Sequence, residues 1–539
     1  MERIAHDFRI AWRGFRRTPG FPIAVLIVLS ISIGSAVAMF TTTRAVVLQQ
    51  MPVLQPEQLA VLTSYQIPSI EVSPPATVIR QMRHRLNSVT DIAGVGHWGT
   101  AQSPFVEGEQ TRILNLSDVT ANYFSVLGAR AFLGRLFVDA DEDFGAAPPM
   151  VLSYRAWQSR YGGDSSVVGR QLMWPYTRVV YTIVGVAPPG LDYPLGVECW
   201  TPMAANDSRQ TLAVVRLKRG VSLNTAQMEY FREANRLHPV YHLKGASGKP
   251  FMDVVVGDAR PALSLLSAAV ALLLLIACVN IANMFLLRAG QRARELALRR
   301  VLGASYWSIV RQLLTESMML AVTGGVLGTA VAVALIRAVV WFAPQQLPRL
   351  DLLRIDVSIF VIAIGVTVFC VVCFGVAPAL IAANASKEKS ARASARAGSQ
   401  TRSRTRLRDG LVASQVALSL TLLVAAGLVS RSLMSLQNES LGYEATHLSI
   451  ASVAWDVTKS GTPEKILAMG RELERRLREF PEIQSTSPML LPPFYGVSVW
   501  HGAVQGEADA PNAMRPVMDV PIEIGGSGYF ETMGIPITQ

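Results

Sequence analysis

Five long apolar runs break up a chain that elsewhere mixes hydrophobic and polar residues at short period. Residues 3–17 place Ile4, Phe8, Trp12 and Phe15 at helical spacing opposite Arg3, Arg9, Arg13 and Arg16. That pattern predicts an amphipathic helix in the headgroup layer over residues 1–20. Pro19-Gly20 then turns the chain into the first apolar run, 21–43. About twenty such residues suffice to cross the hydrocarbon. Four further runs qualify, at 261–287, 315–342, 357–384 and 410–434, and Pro378 kinks or ends the fourth. Ala36-Val37-Ala38 has the spacing of a signal-cleavage site, but the basic leader is long for a cleaved signal. Ser30, Gly34 and Ala38 also form a small-xxx-small stripe, so the first run is expected to stay as an anchor.

Between 44 and 260 no run is long enough to span. Strand-like patterns over Val179–Val186 and Leu212–Leu217 alternate with helical ones over Val78–Leu86 and Ala226–Leu237, which predicts an α+β domain. A short loop fills 343–356. Residues 385–409 are rich in Ala, Ser, Arg and Lys and read as a basic, disordered linker. From 435 to 539 the pattern is again that of a folded lobe outside the bilayer, with Thr462-Pro463 starting a helix through Arg478. The fold class is therefore a membrane protein, an α-helical bundle of five spans with large α+β domains outside it.

The connector 288–314 stands out. It packs Arg288, Arg292, Arg294, Arg299, Arg300 and Arg311 between two spans, which places it on the cytoplasmic face. The N-terminus then lies inside and both mixed regions outside. Leu296, Leu298, Val301 and Leu302 among the charges suit a short surface helix, which Gly303 stops; Ser305 caps the next helix. A loop that merely sets topology would explain the arginines. A turn needs only a few residues, however, so the length and pattern of this connector point to a docking surface for a cytoplasmic partner.

Composition changes this picture little. The chain is half hydrophobic with a mean hydropathy of +0.31, as a membrane protein should be. Its net charge of +11 is concentrated beside the apolar runs, with no nucleic-acid-binding motif, so no nucleic-acid partner is expected. Within the spans, Asn280 and Asn283 share a helix face suited to inter-helix hydrogen bonds, and Gly324 and Gly328 form a G-x-x-x-G contact face. Glu316 at an inner span end is either a functional acid or a partner of the connector arginines. Cys370 and Cys373 form a C-x-x-C inside an apolar run and read as separate lipid- or helix-facing thiols.

Catalytic patterns are missing from the sequence. Gly245-Ala246-Ser247-Gly248-Lys249-Pro250 lacks the spacing and the hydroxyl of a phosphate loop. His238 and His242 are four apart, but Pro239 disfavours the helix that would aim both at one metal. No nucleophile, base and orienter assemble, so neither an enzyme nor a metal site is expected.

The chain also repeats itself. Ala121-Asn122-Tyr123-Phe124-Ser125-Val126-Leu127-Gly128 is echoed by Ser527-Gly528-Tyr529-Phe530-Glu531-Thr532-Met533-Gly534, each after a basic segment, one span and an outer region. The second copy is expected to be incomplete, as a fragment or a natural truncation.

One span, a large outer domain and three spans resemble the MacB/FtsX-type ABC-transporter permeases, closest to the acidobacterial duplicated orphan permeases. The residues carrying the resemblance include Arg17-Thr18-Pro19-Gly20-Phe21, Arg294-Glu295-Leu296-Ala297-Leu298-Arg299-Arg300, Val151-Leu152-Ser153-Tyr154 and Val184-Gly185-Val186-Ala187-Pro188-Pro189-Gly190. The resemblance implies a MacB-like periplasmic core at 44–260 and an FtsX-like permease domain at 261–384, in a multi-pass protein of the bacterial inner membrane. It implies that Arg294, Glu295, Leu298, Arg299, Arg300 and Gly303 contact a separate nucleotide-binding subunit. That subunit, not this chain, would carry ATP and magnesium. Its closure would be passed to the outer domain as motion, exporting or extracting a drug, peptide or lipoprotein. The competing expectation is a signalling scaffold that regulates a periplasmic partner and moves no substrate. The bilayer, and association with a second permease copy, complete the expected partners.

Overall fold

The computed structural model describes residues 9, 12–13, 15–16, 18–49, 51–67, 70–96, 99–143, 145, 147–175, 177–239, 242–257, 259–291, 305–342, 352–353, 356–376, 401–439, 442–443, 447–451, 463–489, 500–504, 518–522 and 524–537. They fall into two compact units, the first holding the long helices and the second the two mixed regions.

Five helices are long and apolar enough to cross a membrane. They are α1 (Gly20–Thr43), α2 (Ala259–Gln291), α3 (Tyr306–Phe342), α4 (Val357–Cys370) and α5 (Thr401–Gln437). A π-helical turn extends α1 over Arg44–Leu48, and another extends α4 over Val371–Val376. Asp356 caps α4 by accepting the Ser358 N–H. The described leader residues 9, 12, 13, 15 and 16 are helical.

Two helices run further than hydropathy predicts. α3 starts at Tyr306, inside the connector, because Ser305 caps it and Ile309 and Val310 are buried. α5 starts at Thr401, so the last residues of the expected linker are helical; 377–400 lie outside the described residues.

α1 is the central helix. Val25, Leu29, Ile33 and Val37 along it are fully buried in a cluster that also draws on α2, α3 and α4. Its contact with α3 is built on glycine: Gly324 faces Leu29, and Gly328 faces Ile33 and Gly34. The hydroxyls of Thr43 and Ser267 lie 2.9 Å apart between α1 and α2. α5 lies beside α2 and leaves most of its apolar surface open, with Leu423 70% exposed.

In the second unit, residues 50–257 form the predicted α+β domain around twelve strands: β1 (Leu59–Ile67), β2 (Ile70–Val72), β3 (Val89–Gly96), β4 (Ala101–Glu107), β5 (Gln110–Val119), β6 (Leu133–Gly134), β7 (Pro149–Leu152), β8 (Gln171–Trp174), β9 (Val179–Val186), β10 (Cys199–Pro202), β11 (Thr211–Leu217) and β12 (Gly245–Pro250). Six strands close a ring in the order β10-β7-β9-β8-β4-β5, since β10 also pairs in parallel with β5. Phe105, Leu114, Leu152, Leu172 and Ile183 fill the core beside it. From β5 the order continues β3-β11-β1-β12 as an open sheet. The helices Ala76–Met82 and Leu223–Leu237 cover one face of that sheet through Ile79, Met82, Ala226 and Tyr230. The second helix ends before Pro239, and His242 adopts a left-handed backbone (φ 45°), so the two histidines share no helix.

The second mixed region holds the expected helix, Pro463–Leu477, and a hairpin of β13 (Trp500–Val504) and β14 (Met518–Ile522). Its repeat motif reproduces the first copy bond for bond. Tyr123 N–H donates to Thr120, Val126 to Asn122 and Ala129 to Phe124; Tyr529 donates to Gly526, Thr532 to Gly528 and Ile535 to Phe530. Each copy ends in a left-handed glycine, Gly128 (φ 61°) and Gly534 (φ 67°). In each, the tyrosine and phenylalanine rings meet edge to face, at 5.1 Å and 5.5 Å.

Candidate coupling site

Arg294, Glu295, Leu298, Arg299, Arg300 and Gly303 lie in 292–304, outside the described residues. The structure shows the two ends from which that segment hangs.

At the first end, α2 carries Arg288 in its last turn, where a cation complements the helix dipole. The guanidinium carbon sits 4.5 Å from the centre of the Phe21 ring and 5.3 Å from that of Phe15. Phe21 meets Phe285 edge-on at 5.5 Å, and Phe285 stacks on Phe374 at 6.0 Å. The sequence places these groups together for local reasons. Phe15 precedes and Phe21 follows the Pro19-Gly20 turn, Phe285 and Arg288 are three apart on one face of α2, and the π turn holds Phe374. The start of the connector is thereby fastened to the amphipathic leader, to α1 and to the end of α4. Each cation–ring contact is worth about 0.5–2 kcal/mol, more where water is excluded.

At the second end, Ser305 Oγ accepts the Ser308 N–H at 3.2 Å and starts α3. Trp307 is exposed while Ile309 and Val310 are buried, so this first turn of α3 is held by its apolar face. Further along, Glu316 and Ser317 are almost wholly enclosed, and Gly375 of the π turn packs on Ser317. Phe285 and Ser317, on either side of the connector, thus bear on the same π turn.

Among the packing residues expected from sequence, Gly324 and Gly328 lie at the α1 contact. Asn280 and Asn283 are both half-buried. Asn283 Oδ1 is enclosed without a hydrogen-bond partner among the described residues, because the side chains around this part of α2 belong to the apolar cluster. Among the described residues, no group of His, Cys, Asp and Glu could hold a metal ion. The aromatic seat of Arg288 was missed in the sequence, which shows only an arginine near several phenylalanines far apart along the chain.

Residues 23–230 match the family model of the MacB-like periplasmic core domain, and residues 267–388 match that of the FtsX-like permease C-terminal domain. The chain belongs to the MacB/FtsX-type permeases. The connector and its two ends fall inside the FtsX-like match, 267–388. Among curated relatives, this permease is 27% identical over 266 residues to the pyoverdine export ATP-binding/permease protein PvdT of Pseudomonas syringae pv. syringae, covering 45% of this chain and 37% of that protein. It is 25% identical over 268 residues to the macrolide export ATP-binding/permease protein MacB of Chromobacterium violaceum, covering 45% and 39%. For MacB of Rhodopseudomonas palustris the figures are 24% over 357 residues, covering 62% and 53%. The permease therefore spans between a third and about half of the length of these relatives. The solved periplasmic region of MacB from Actinobacillus actinomycetemcomitans aligns with 38% of the chain and 92% of its own length, at 13% identity and a TM-score of 0.30.

Proposed function

We propose that this chain is the transmembrane subunit of an ABC exporter and that a separate nucleotide-binding subunit docks on the connector 288–314. Arg294, Glu295, Leu298, Arg299, Arg300 and Gly303 form the docking surface in this reading. The observation that carries it is the fastening of both connector ends. One end is seated on Phe15 and Phe21 through Arg288, the other is set by the Ser305 cap and the buried Ile309 and Val310. A push on a connector held in this way displaces helices rather than being absorbed in the loop. Binding energy spent inside can then bias a two-state arrangement outside. The relatives' names join ATP binding to a permease, and in this reading ATP and magnesium are held by the partner. The names of those relatives, pyoverdine and macrolide export, support a drug- or peptide-sized cargo, with lipoproteins also within the range.

The test is Glu295→Ala with Arg299→Ala, measured as the ATPase rate of the nucleotide-binding subunit that copurifies with the permease, with and without the permease. The reading expects stimulation to drop to the rate of the subunit alone and copurification to be lost. Unchanged stimulation and unchanged copurification would overturn it. Retained coupling without any cargo leaving proteoliposomes would favour the signalling scaffold instead.

A further inference from the structure

The chain has four cysteines, and three of them meet inside the bundle. Cys278 of α2 and Cys370, the last residue of α4, bring their sulfurs to 3.7 Å across two helices that are 92 residues apart in sequence. Both side chains are closed off, at 3% and 0% exposure. Cys373, half-buried in the π turn, also lies within hydrogen-bonding reach of Cys278. The C-x-x-C spacing drew attention to Cys370 and Cys373, yet the closest approach described is between helices. Stacking of Phe285 on Phe374 lies two turns along α2 from Cys278, and fixes the same pair of elements against each other.

A disulfide needs sulfurs at about 2.05 Å. At 3.7 Å the pair is therefore less than about 2 Å short of bonding. Cys199 is a useful contrast. It is equally buried, but it lies in β10 of the outer domain with no second cysteine in that domain. Water-soluble oxidants do not enter an apolar cluster, so the reagent that reaches the pair has to partition into lipid.

We propose that Cys278 and Cys370 are a redox-active pair, oxidised by a lipid-soluble quinone to a disulfide that ties α2 to the last turn of α4. In this step two S–H bonds break and one S–S bond forms. The two electrons and two protons pass to the quinone oxygens, giving a hydroquinone. The oxidised bundle is cross-linked about 15 Å along α2 from Arg288, and reduction by a thiol restores the free pair.

The experiment uses the full chain in lipid nanodiscs, incubated with duroquinone, whose fully substituted ring blocks addition of thiols. Free thiols are then alkylated with N-ethylmaleimide in denaturant, and peptides are analysed by mass spectrometry. The expected result is a Cys278–Cys370 linked peptide, alkylated Cys199, and about one hydroquinone formed per linked chain. Dithiothreitol should reverse the link, Cys373→Ser should keep it, and Cys278→Ser and Cys370→Ser should each abolish it. Alkylation of all four cysteines in the quinone-treated wild type would overturn the proposal. So would a Cys370–Cys373 link that persists in Cys278→Ser. The wild-type result decides alone, so a poorly folding serine variant does not cloud it.

Discussion

Replacing Gly34 by alanine should force α1 and α3 apart. A Cβ built at Gly34 falls 2.6 Å from Val331 Cγ1, 2.8 Å from Val331 Cβ and 2.9 Å from the Gly328 carbonyl oxygen. The valine has few rotamers to escape into, and the carbonyl is backbone and has none. At Gly328 the same addition meets Ile33 at 3.0 Å, and at Gly365 nothing lies within 4 Å. Overpacking a close contact costs roughly 1–3 kcal/mol. The higher helix propensity of alanine returns up to ~1 kcal/mol at any of the three sites. The net loss for Gly34→Ala is then up to about 2 kcal/mol, a factor of up to roughly 30 in the folded-to-unfolded ratio. Gly328→Ala should lose less, and Gly365→Ala should be neutral or gain a few tenths of a kcal/mol, within ~1 kcal/mol. The assay is unfolding of the full chain in mixed micelles titrated with dodecyl sulfate, followed by circular dichroism. The ranking Gly34 below Gly328 below Gly365 is the result to look for. If Gly34→Ala unfolds at the midpoint of Gly365→Ala, the glycine contact is not holding α1 to α3 and the packing argument fails.

Arg288→Met keeps the stem of the side chain and removes its charge, so it should lower the same unfolding midpoint, with Arg288→Lys between it and wild type because an ammonium still faces the rings; lysine and methionine variants of equal stability would exclude a cation–ring contact. In the outer domain, burial pushes the Asp141 carboxyl up, but two hydrogen bonds from Arg135 at 2.7 and 2.9 Å and one from the Val138 N–H at 2.9 Å outweigh it and hold the group below the ordinary carboxylate value. A depressed folded value means that the stabilisation is present above the unfolded value of about 3.9 and is lost as pH falls through the folded one. Asp141→Asn should therefore lower the thermal midpoint at neutral pH, and its deficit should shrink as pH falls below about 3.9; a deficit independent of pH would show that the carboxylate charge is not involved.

The spans were legible because about twenty apolar residues in a row have few alternatives to a membrane helix. β9 was legible as well, with observed bounds of Val179–Val186 equal to those predicted, since β-branched residues crowd that segment between turn residues. Helix ends were less so. Hydropathy sees Arg311, Gln312 and Glu316 as the end of a span, whereas the backbone follows the Ser305 cap. Likewise 401–409 is polar enough to read as a linker, yet arginine is a good helix former and neither Pro nor Gly intervenes before Gly410. Contacts between distant segments were not legible at all. The closure of the six-stranded ring through β5 and β10, the seat of Arg288 and the approach of Cys278 to Cys370 each join residues that no local pattern relates.

The two repeat motifs separate what is encoded locally from what is not. Both copies form the same turn with the same three backbone bonds and the same edge-to-face rings, so those features need nothing beyond the motif itself. Burial differs. Phe124 is 1% exposed beneath Phe137 and Trp200, which meet it at 5.4 and 5.5 Å, while Phe530 is 50% exposed. The turn takes the same form whether its aromatic side chain is covered or open, and the cover at Phe124 comes from separate segments. The same division applies at the connector. Its cap at Ser305 and its arginines are local properties that a sequence displays. Their mechanical value depends on α1, which Arg288 reaches through Phe21 near its start and α3 reaches through glycine in its middle. Because Gly34 and Gly328 offer no side-chain torsions to absorb a displacement, a shift of α3 must either move α1 or open the contact. That makes α1 the helix on which both ends of the connector converge.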